Sequence, residues 1–500
     1  MMGEPPVTVP INPRLFGFSS YLGPVVNLSY SDPAVLRVAS VLRMGTLRYP
    51  GGSTANSWDM ARGRWVEGTG GAYANRTDWL PEGTYTPRAF MAGVGRLLPA
   101  PPIWNLNLET LPDPSSQLDV LRNQGVPVSF IELGNEKVDV PFGSYLDRAA
   151  PVVTRTRQLF PHAQVSVVGC FGVPWQPCAR QLQKAFEGKR LFDAVSIHKY
   201  APANATIVVH AKNDAERRVA TLAAVVPVLR EMEQRVARDV SPSLPIWLDE
   251  FNWGGNWSGN ATWPDEAHGA LRGLVWASYT LSALETTATA IAAGRSGFGS
   301  LDYYSLFFQA GNPWSRWASC ASVSSEPNRP EDVQFDGVAQ IISHVNAIAL
   351  SQGHTHVSPL RALSNATVPL SLQLPHRQLE SCVLGVRFGS EAPAAAADDL
   401  LLNICADGVS VRPPTPEGLH AVAWHWYSGF DVGRGWVSAD SIGSLERPPW
   451  SRGPLAVHSA AVPAGGELVL PPVSLSVISR RASSRGEPHA PRSSRHDSSE

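Results

Sequence analysis

The chain is poor in the features that mark specialised classes. Across 500 residues the formal net charge is only −2, so nothing points to nucleic acid or an anionic membrane as partner. No run of eighteen apolar residues occurs, which leaves no candidate membrane span. Cysteine is scarce, with Cys170, Cys178, Cys320, Cys382 and Cys405 the whole set. No C-x-x-C and no Cys/His cluster at zinc spacing is present, so neither a metal site nor a cofactor is expected. No Gly-x-Gly-x-x-Gly follows the first strand candidate, which argues against an open dinucleotide-binding sheet. The opening "MMGEPPVTVPINP" has neither a basic n-region nor an apolar h-region, so no signal peptide is read there.

What is present describes a globular protein. Apolar residues make up 43% and charged residues 17%, and the length suits one large domain with a smaller one beside it. Tryptophan is abundant at sixteen; core packing accounts for most of these, with sugar-stacking platforms as the alternative use. Six N-x-[ST] sequons, at Asn27, Asn75, Asn204, Asn256, Asn260 and Asn365, favour a secreted protein or one of the lysosomal or vacuolar lumen. Cys170 with Cys178 and Cys382 with Cys405 could form local disulfides; five buried thiols are the alternative.

From about residue 11 to 350, short β-rich runs alternate with helical periodicity. Eight strand candidates stand out: 15–19, 46–52, 102–108, 129–136, 164–171, 194–200, 245–252 and 301–308. A long helix is read over 214–240 and another over 266–287. Eight strands each followed by a helix define the α/β fold of a closed (β/α)₈ TIM barrel. Beyond residue 350, short strands separated by Pro, Gly and Asp predict a C-terminal antiparallel β-sandwich over 351–480, which residues 6–10 could join. The stretch 392–399 reads as a sandwich loop, so Asp398 and Asp399, like Glu417, are expected in turns. Residues 481–500 hold almost no apolar side chains and read as a disordered tail.

In such a barrel the chemistry sits at the C-terminal strand ends. Glu136 follows the fourth strand in "FIELGNEK", and Glu250 closes the seventh in "PIWLDEFN". Strands four and seven face each other across the mouth, so the two carboxylates can address one substrate. An opposed pair, one protonated and one ionised, is what glycosidic bond cleavage requires. Glu136 standing alone could equally be a helix N-terminal acid; its match with Glu250 favours the functional reading. Strand alternation would send Asp249 outward with Trp247 if Glu250 faces inward.

The residues also carry a resemblance. "ELGNE" at the fourth strand, "IWLDEFN" at the seventh, "LRYPGG" at the second and "SIHKY" at the sixth resemble the clan A retaining glycoside hydrolases. The architecture looks most like the heparanase and β-glucuronidase group (family 79), with the α-L-arabinofuranosidases (family 51) close. "GNEK" stands where the heparanase group usually has Gly-Asn-Glu-Pro, and "RYPGG" lies nearer the arabinofuranosidase form. The resemblance implies Glu136 as acid/base, Glu250 as nucleophile and Asn135 as donor to the sugar 2-hydroxyl. It nominates Arg48 to hold the nucleophile, together with His198 and Tyr200. Asn105 or Asn107 could line the sugar pocket, and Lys137 or Lys199 could meet a uronate. Trp58, Trp253, Trp257 and Trp263 are loop candidates for stacking.

The implied function is hydrolysis of glycosidic bonds in a polysaccharide or proteoglycan glycan by a monomer. A non-catalytic carbohydrate-binding barrel is a second reading, though both carboxylates are retained. An aldolase or isomerase is a third, but no strand-end Schiff-base lysine or phosphate loop supports it.

Overall fold

The computed structural model describes residues 7–20, 28–69, 82–136, 141–202, 214–254, 270–304, 307–309, 321–323, 334–335, 337–351, 353–360, 366, 379, 381–390, 396–412, 419–428, 437–438, 457–460, 462 and 467–482. Eight parallel strands close into a barrel: β1 (Gly17–Ser19), β2 (Leu47–Tyr49), β3 (Ile103–Leu106), β4 (Phe130–Leu133), β5 (Gln164–Val168), β6 (Ala194–Pro202), β7 (Ile246–Gly254) and β8 (Phe298–Tyr303). They neighbour one another in chain order, and β8 pairs with β1 to complete the ring. The fold is therefore a (β/α)₈ barrel followed by an antiparallel β-domain.

Alternation along each strand explains the packing. In β4, Ile131 and Leu133 join the main apolar core, while Phe130 packs with Ile103, Ala194 and Trp247 in a separate small cluster. That phase places Glu132 on the same side as Phe130. The strand ends at Leu133, three residues short of the expected limit, because Gly134 takes φ +82 and turns the chain. Asn135 and Glu136 thus stand in the loop above β4.

Two further expectations shift. The helix read over 214–240 is two helices, Asp214–Ala223 and Val226–Asp239, with Pro227 in the first turn of the second. Proline tolerates that position but cannot continue a preceding helix. The eighth strand starts at Phe298, and Phe307–Gln309 leaves it to pair with Ala321–Val323.

The C-terminal domain is built on seven antiparallel strands. In sheet order they are Val9–Pro10, β9 (His356–Pro359), β10 (Val383–Gly389), β11 (Ala396–Asn403), β14 (Ser474–Ala482), β12 (Leu419–Ser428) and β13 (His458–Ala460). A separate ladder, Val409–Val411 with Leu468–Leu470, adds its side chains to the same core. The helix Ala270–Ala292 packs on β7 and β8 and also on the sandwich sheet. Contacts on both sides leave most of its residues buried, Arg272 and several Ser and Thr among them.

The loop reading of 392–399 is corrected, because β11 begins at Ala396 and both Asp398 and Asp399 are fully buried within it. Asp399 accepts from Arg387 (2.9 Å) and Arg480 (2.9 Å), and Asp398 meets His354 at 2.8 Å. Paired charges are what permit aspartates inside a sheet. Both local disulfides form, Cys170 with Cys178 and Cys382 with Cys405. Glu417, Cys320 and residues 483–500 of the expected tail lie outside the described residues. No helix among the described residues is long and apolar enough to cross a membrane.

Candidate active site

The site is assembled around one buried cation. Arg48, in the middle of β2, has no solvent exposure. Its Nη2 donates to Glu132 Oε1 (2.9 Å) and to Asn135 Oδ1 (2.7 Å), its Nε also reaches Glu132, and its Nη1 donates to Glu250 Oε1 (2.7 Å). Burial alone would lower its pKa, but the Glu132 and Glu250 carboxylates hold it well above the ordinary arginine value. The guanidinium thus fixes Glu250 and Asn135 relative to each other across the mouth.

Above this layer, Tyr200 on β6 donates its hydroxyl to Glu250 Oε2 at 2.7 Å. Burial first, and then the adjacent Glu250 carboxylate, raise the Tyr200 pKa well above the usual phenol value, so it remains a donor. His198 Nδ1 lies 2.9 Å from Glu136 Oε1 and 3.6 Å from Glu250 Oε2. Carboxylate oxygens of Glu136 and Glu250 and a ring nitrogen of His198 all fall within 4.8 Å of one another. Glu136 is the more open of the two acids, with 26% of its side chain exposed against 6% for Glu250. The backbone N–H of Asn135 donates to Asn56 Oδ1 (3.0 Å), tying the loop after β4 to the turn after β2.

Six of the expected site residues, Arg48, Asn135, Glu136, His198, Tyr200 and Glu250, therefore meet in one place. Asn105 is one layer deeper: its amide donates to Glu132 and to the Gly134 carbonyl (3.0 Å), so it supports the site. Asn107 instead holds its own loop through Thr110 (2.7 Å) and the Trp58 carbonyl (3.2 Å). Trp58 is buried in an aromatic group with Trp65 and Tyr85, which excludes it as a sugar platform. Lys199 neighbours the site on β6, whereas Lys137, Trp257, Trp263 and the Trp253 side chain lie outside the described residues.

The orientation expected for Asp249 and Trp247 is corrected. The β6–β7 register pairs Leu248 with Ile197 and Glu250 with His198, so Asp249 is an extra residue in a β-bulge. A bulge breaks strict alternation and re-aims a side chain, which lets Asp249 and Glu250 both face inward. Trp247 also points inward, against Phe130, and the Arg14 guanidinium lies 3.8 Å above the Phe130 ring.

The sequence reading missed this acidic floor. Glu132 is fully buried and, besides Arg48, accepts from Ser196 Oγ at 2.8 Å. Asp302 on β8 is buried nearby and accepts from Ser300 (3.0 Å). Burial pushes the Asp302 carboxyl up to about 7, and burial with the neighbouring Glu132 and Asp302 raises Asp249 well above the carboxylate range. A charged residue in phase with Phe130 was the available signal for Glu132; nothing in the sequence announced the bulge at Asp249.

Glu136, His198 and Glu250 are also, by spacing, a set that could contact a cation. Arg48, at 2.7 Å from Glu250, already supplies the positive charge there.

Comparison with known proteins finds no matching family model and no matching curated sequence. Solved structures do match along nearly the whole length. A family 51 α-L-arabinofuranosidase from Bifidobacterium longum superimposes with a TM-score of 0.68 at 14% identity, covering 96% of this chain and 97% of that one. An α-L-arabinofuranosidase from Thermotoga maritima gives a TM-score of 0.63 at 16% identity over 95% and 97%. A β-xylosidase from Caulobacter crescentus gives 0.51 at 10% over 95% and 97%. At such identities the likeness is one of fold: a (β/α)₈ barrel with a C-terminal sandwich.

Proposed function

We propose that the protein is a retaining glycoside hydrolase, with Glu250 as nucleophile and Glu136 as acid/base. One observation carries the reading: carboxylate oxygens of the two residues approach within 4.8 Å across the barrel mouth. Double displacement uses carboxyl groups about 5–5.5 Å apart, whereas inversion needs about 6.5–9.5 Å to admit a water between them.

Each neighbour has a task in that chemistry. Arg48 and Tyr200 each donate to one Glu250 oxygen, orienting the carboxylate toward the anomeric carbon. A Glu250 oxygen bonds to that carbon while the glycosidic bond breaks, its electron pair passing to the leaving oxygen. The Glu136 proton goes to the same oxygen. Water then gives a proton back to Glu136 and its oxygen to the anomeric carbon, releasing Glu250. His198, 2.9 Å from Glu136 and 3.6 Å from Glu250, positions Glu136. Asn135, held by Arg48, is set to bond the sugar 2-hydroxyl.

For the substrate, an α-L-arabinofuranoside, the second reading of the sequence, is better supported than the heparanase-like first one. Proteins named as arabinofuranosidases match this chain end to end, and "RYPGG" already leaned that way. A secreted or lumenal location accords with two disulfides and six sequons. Azide rescue tests the roles. Glu136→Ala should recover turnover of an activated aryl glycoside as a glycosyl azide of retained configuration, and Glu250→Ala as one of inverted configuration. Full activity in either variant without azide would overturn the assignment.

A further inference from the structure

A cavity of about 210 Å³ opens from Glu136 and His198 between the ends of β5 and β6 and the helix Val226–Asp239. Phe171, Trp175, Ile197, Val228 and Met232 give it apolar walls. Glu136 borders the cavity, whereas Glu250, Arg48 and Tyr200 do not. The space therefore lies on the proton donor's side of the site, away from the groups that would hold the sugar being transferred. During cleavage the donor must touch the leaving oxygen, so what that oxygen carries goes into this cavity.

We propose that the leaving group is a single aromatic ring, making the substrate class aryl glycosides whose aglycone is a phenol. This rests on the hydrolase reading above. An apolar protein cavity of about 150 Å³ holds benzene, so the volume here suits one substituted ring. A sugar in the same place would need partners for its hydroxyls. Of the polar groups in the wall, Ser196 Oγ donates to Glu132 and Arg235 pairs with Glu231 at 2.5 Å. In the first step the phenolic oxygen takes the electron pair of the broken C–O bond and the Glu136 proton, leaving as neutral phenol while the sugar remains on Glu250.

The test compares phenyl, methyl and 2-naphthyl glycosides of one sugar, beginning with α-L-arabinofuranose, in wild type and two variants. Met232→Trp fills the cavity, and the phenyl-to-methyl ratio of kcat/KM should fall by about tenfold, the scale on which an apolar pocket discriminates. Met232→Ala enlarges it, and the naphthyl-to-phenyl ratio should rise, a change of opposite sign that misfolding does not produce. Phenol binding by wild type, followed by calorimetry, should weaken in Met232→Trp. Unchanged ratios in both variants overturn the aglycone assignment and leave the hydrolase reading standing. Failure of wild type to cleave any glycoside overturns the hydrolase reading, and the aglycone assignment falls with it even if phenol binds.

Discussion

Arg48 in the barrel and Arg387 in the sandwich sheet both place a guanidinium on a buried carboxylate, yet the two networks differ in what they leave over. In the sandwich, Asp399 is fully buried between Arg387 and Arg480, and Asp398 lies between His354 and Arg481. Asp399 has a guanidinium on each side, and neither aspartate is exposed. At the barrel mouth the single Arg48 serves both Glu132 and Glu250, while Glu136 stands apart, part-exposed, beside His198 and a cavity. Two acids at close range with one of them open is costly as structure and useful as chemistry. Closure of the charge pattern, more than burial, separates a structural network from a reactive one.

The largest expected effect comes from exchanging the same lesion between the two regions. Glu250→Ala should abolish turnover of aryl glycosides while thermal unfolding shifts less, because Arg48 keeps its bonds to Glu132 and Asn135. Asp399→Ala should leave kcat per folded molecule unchanged but cost about 3–5 kcal/mol of stability, as removing one partner from a buried ion network does. Equal losses of activity per folded molecule in both variants would erase the distinction.

Arg48→Met should combine both phenotypes, because Glu132 and Glu250 lose their shared partner. A stability loss of about 3–5 kcal/mol is expected, together with loss of turnover that Arg48→Lys restores only in part, since an ammonium lacks the planar fork. Denaturant titration and steady-state kinetics on the same samples separate the two.

A smaller effect sharpens the comparison through pH. Burial raises Asp302 to about 7, so the folded state binds a proton that the unfolded chain has released above about 4. That stability is fully present below pH 4 and is lost as pH rises toward 7. His344, between its helix and Tyr427 of the sandwich, goes the other way. Burial, with His425, lowers it from 6.5 to about 3, so stability falls as pH drops from 6.5 toward 3. Asp302→Asn should flatten the decline between pH 4 and 7, and His344→Gln the decline on the acid side. Denaturation midpoints from pH 3.5 to 8 read both slopes; unchanged profiles would contradict these placements.

Smallest of all should be the response to chelation. Arg48 supplies the cation at Glu250, so exhaustive dialysis against EDTA should leave kcat unchanged. A loss restored by a divalent metal would assign Glu136, His198 and Glu250 to metal binding instead.

The barrel was legible in the sequence because period-2 and period-3.6 patterns alternate eight times, and the site because its motifs fall at strand ends. Arg48, Glu136, His198 and Glu250 could be named from "LRYPGG", "GNE", "SIHKY" and "DEFN". What stayed hidden was set by backbone irregularity and long-range pairing. One inserted residue at Asp249 reversed the facing expected for it and for Trp247. Asp398 and Asp399 resembled turn residues because their partners, His354, Arg387 and Arg480, are distant in sequence or lie on neighbouring strands. Glu132 could have been found from its phase with Phe130, but Asn135 and Glu136 beside it drew the chemistry upward.

The most direct test of the central claim is to trap the covalent intermediate. A 2-deoxy-2-fluoro glycoside with a dinitrophenyl leaving group slows both displacements yet still allows the first, so the glycosyl-enzyme should accumulate. Peptide mass spectrometry of the inactivated protein should then find one fluoroglycosyl unit on Glu250. A label on Glu136 would reverse the two roles, and inactivation without any label, by an enzyme that cleaves the parent glycoside, would contradict the double-displacement account.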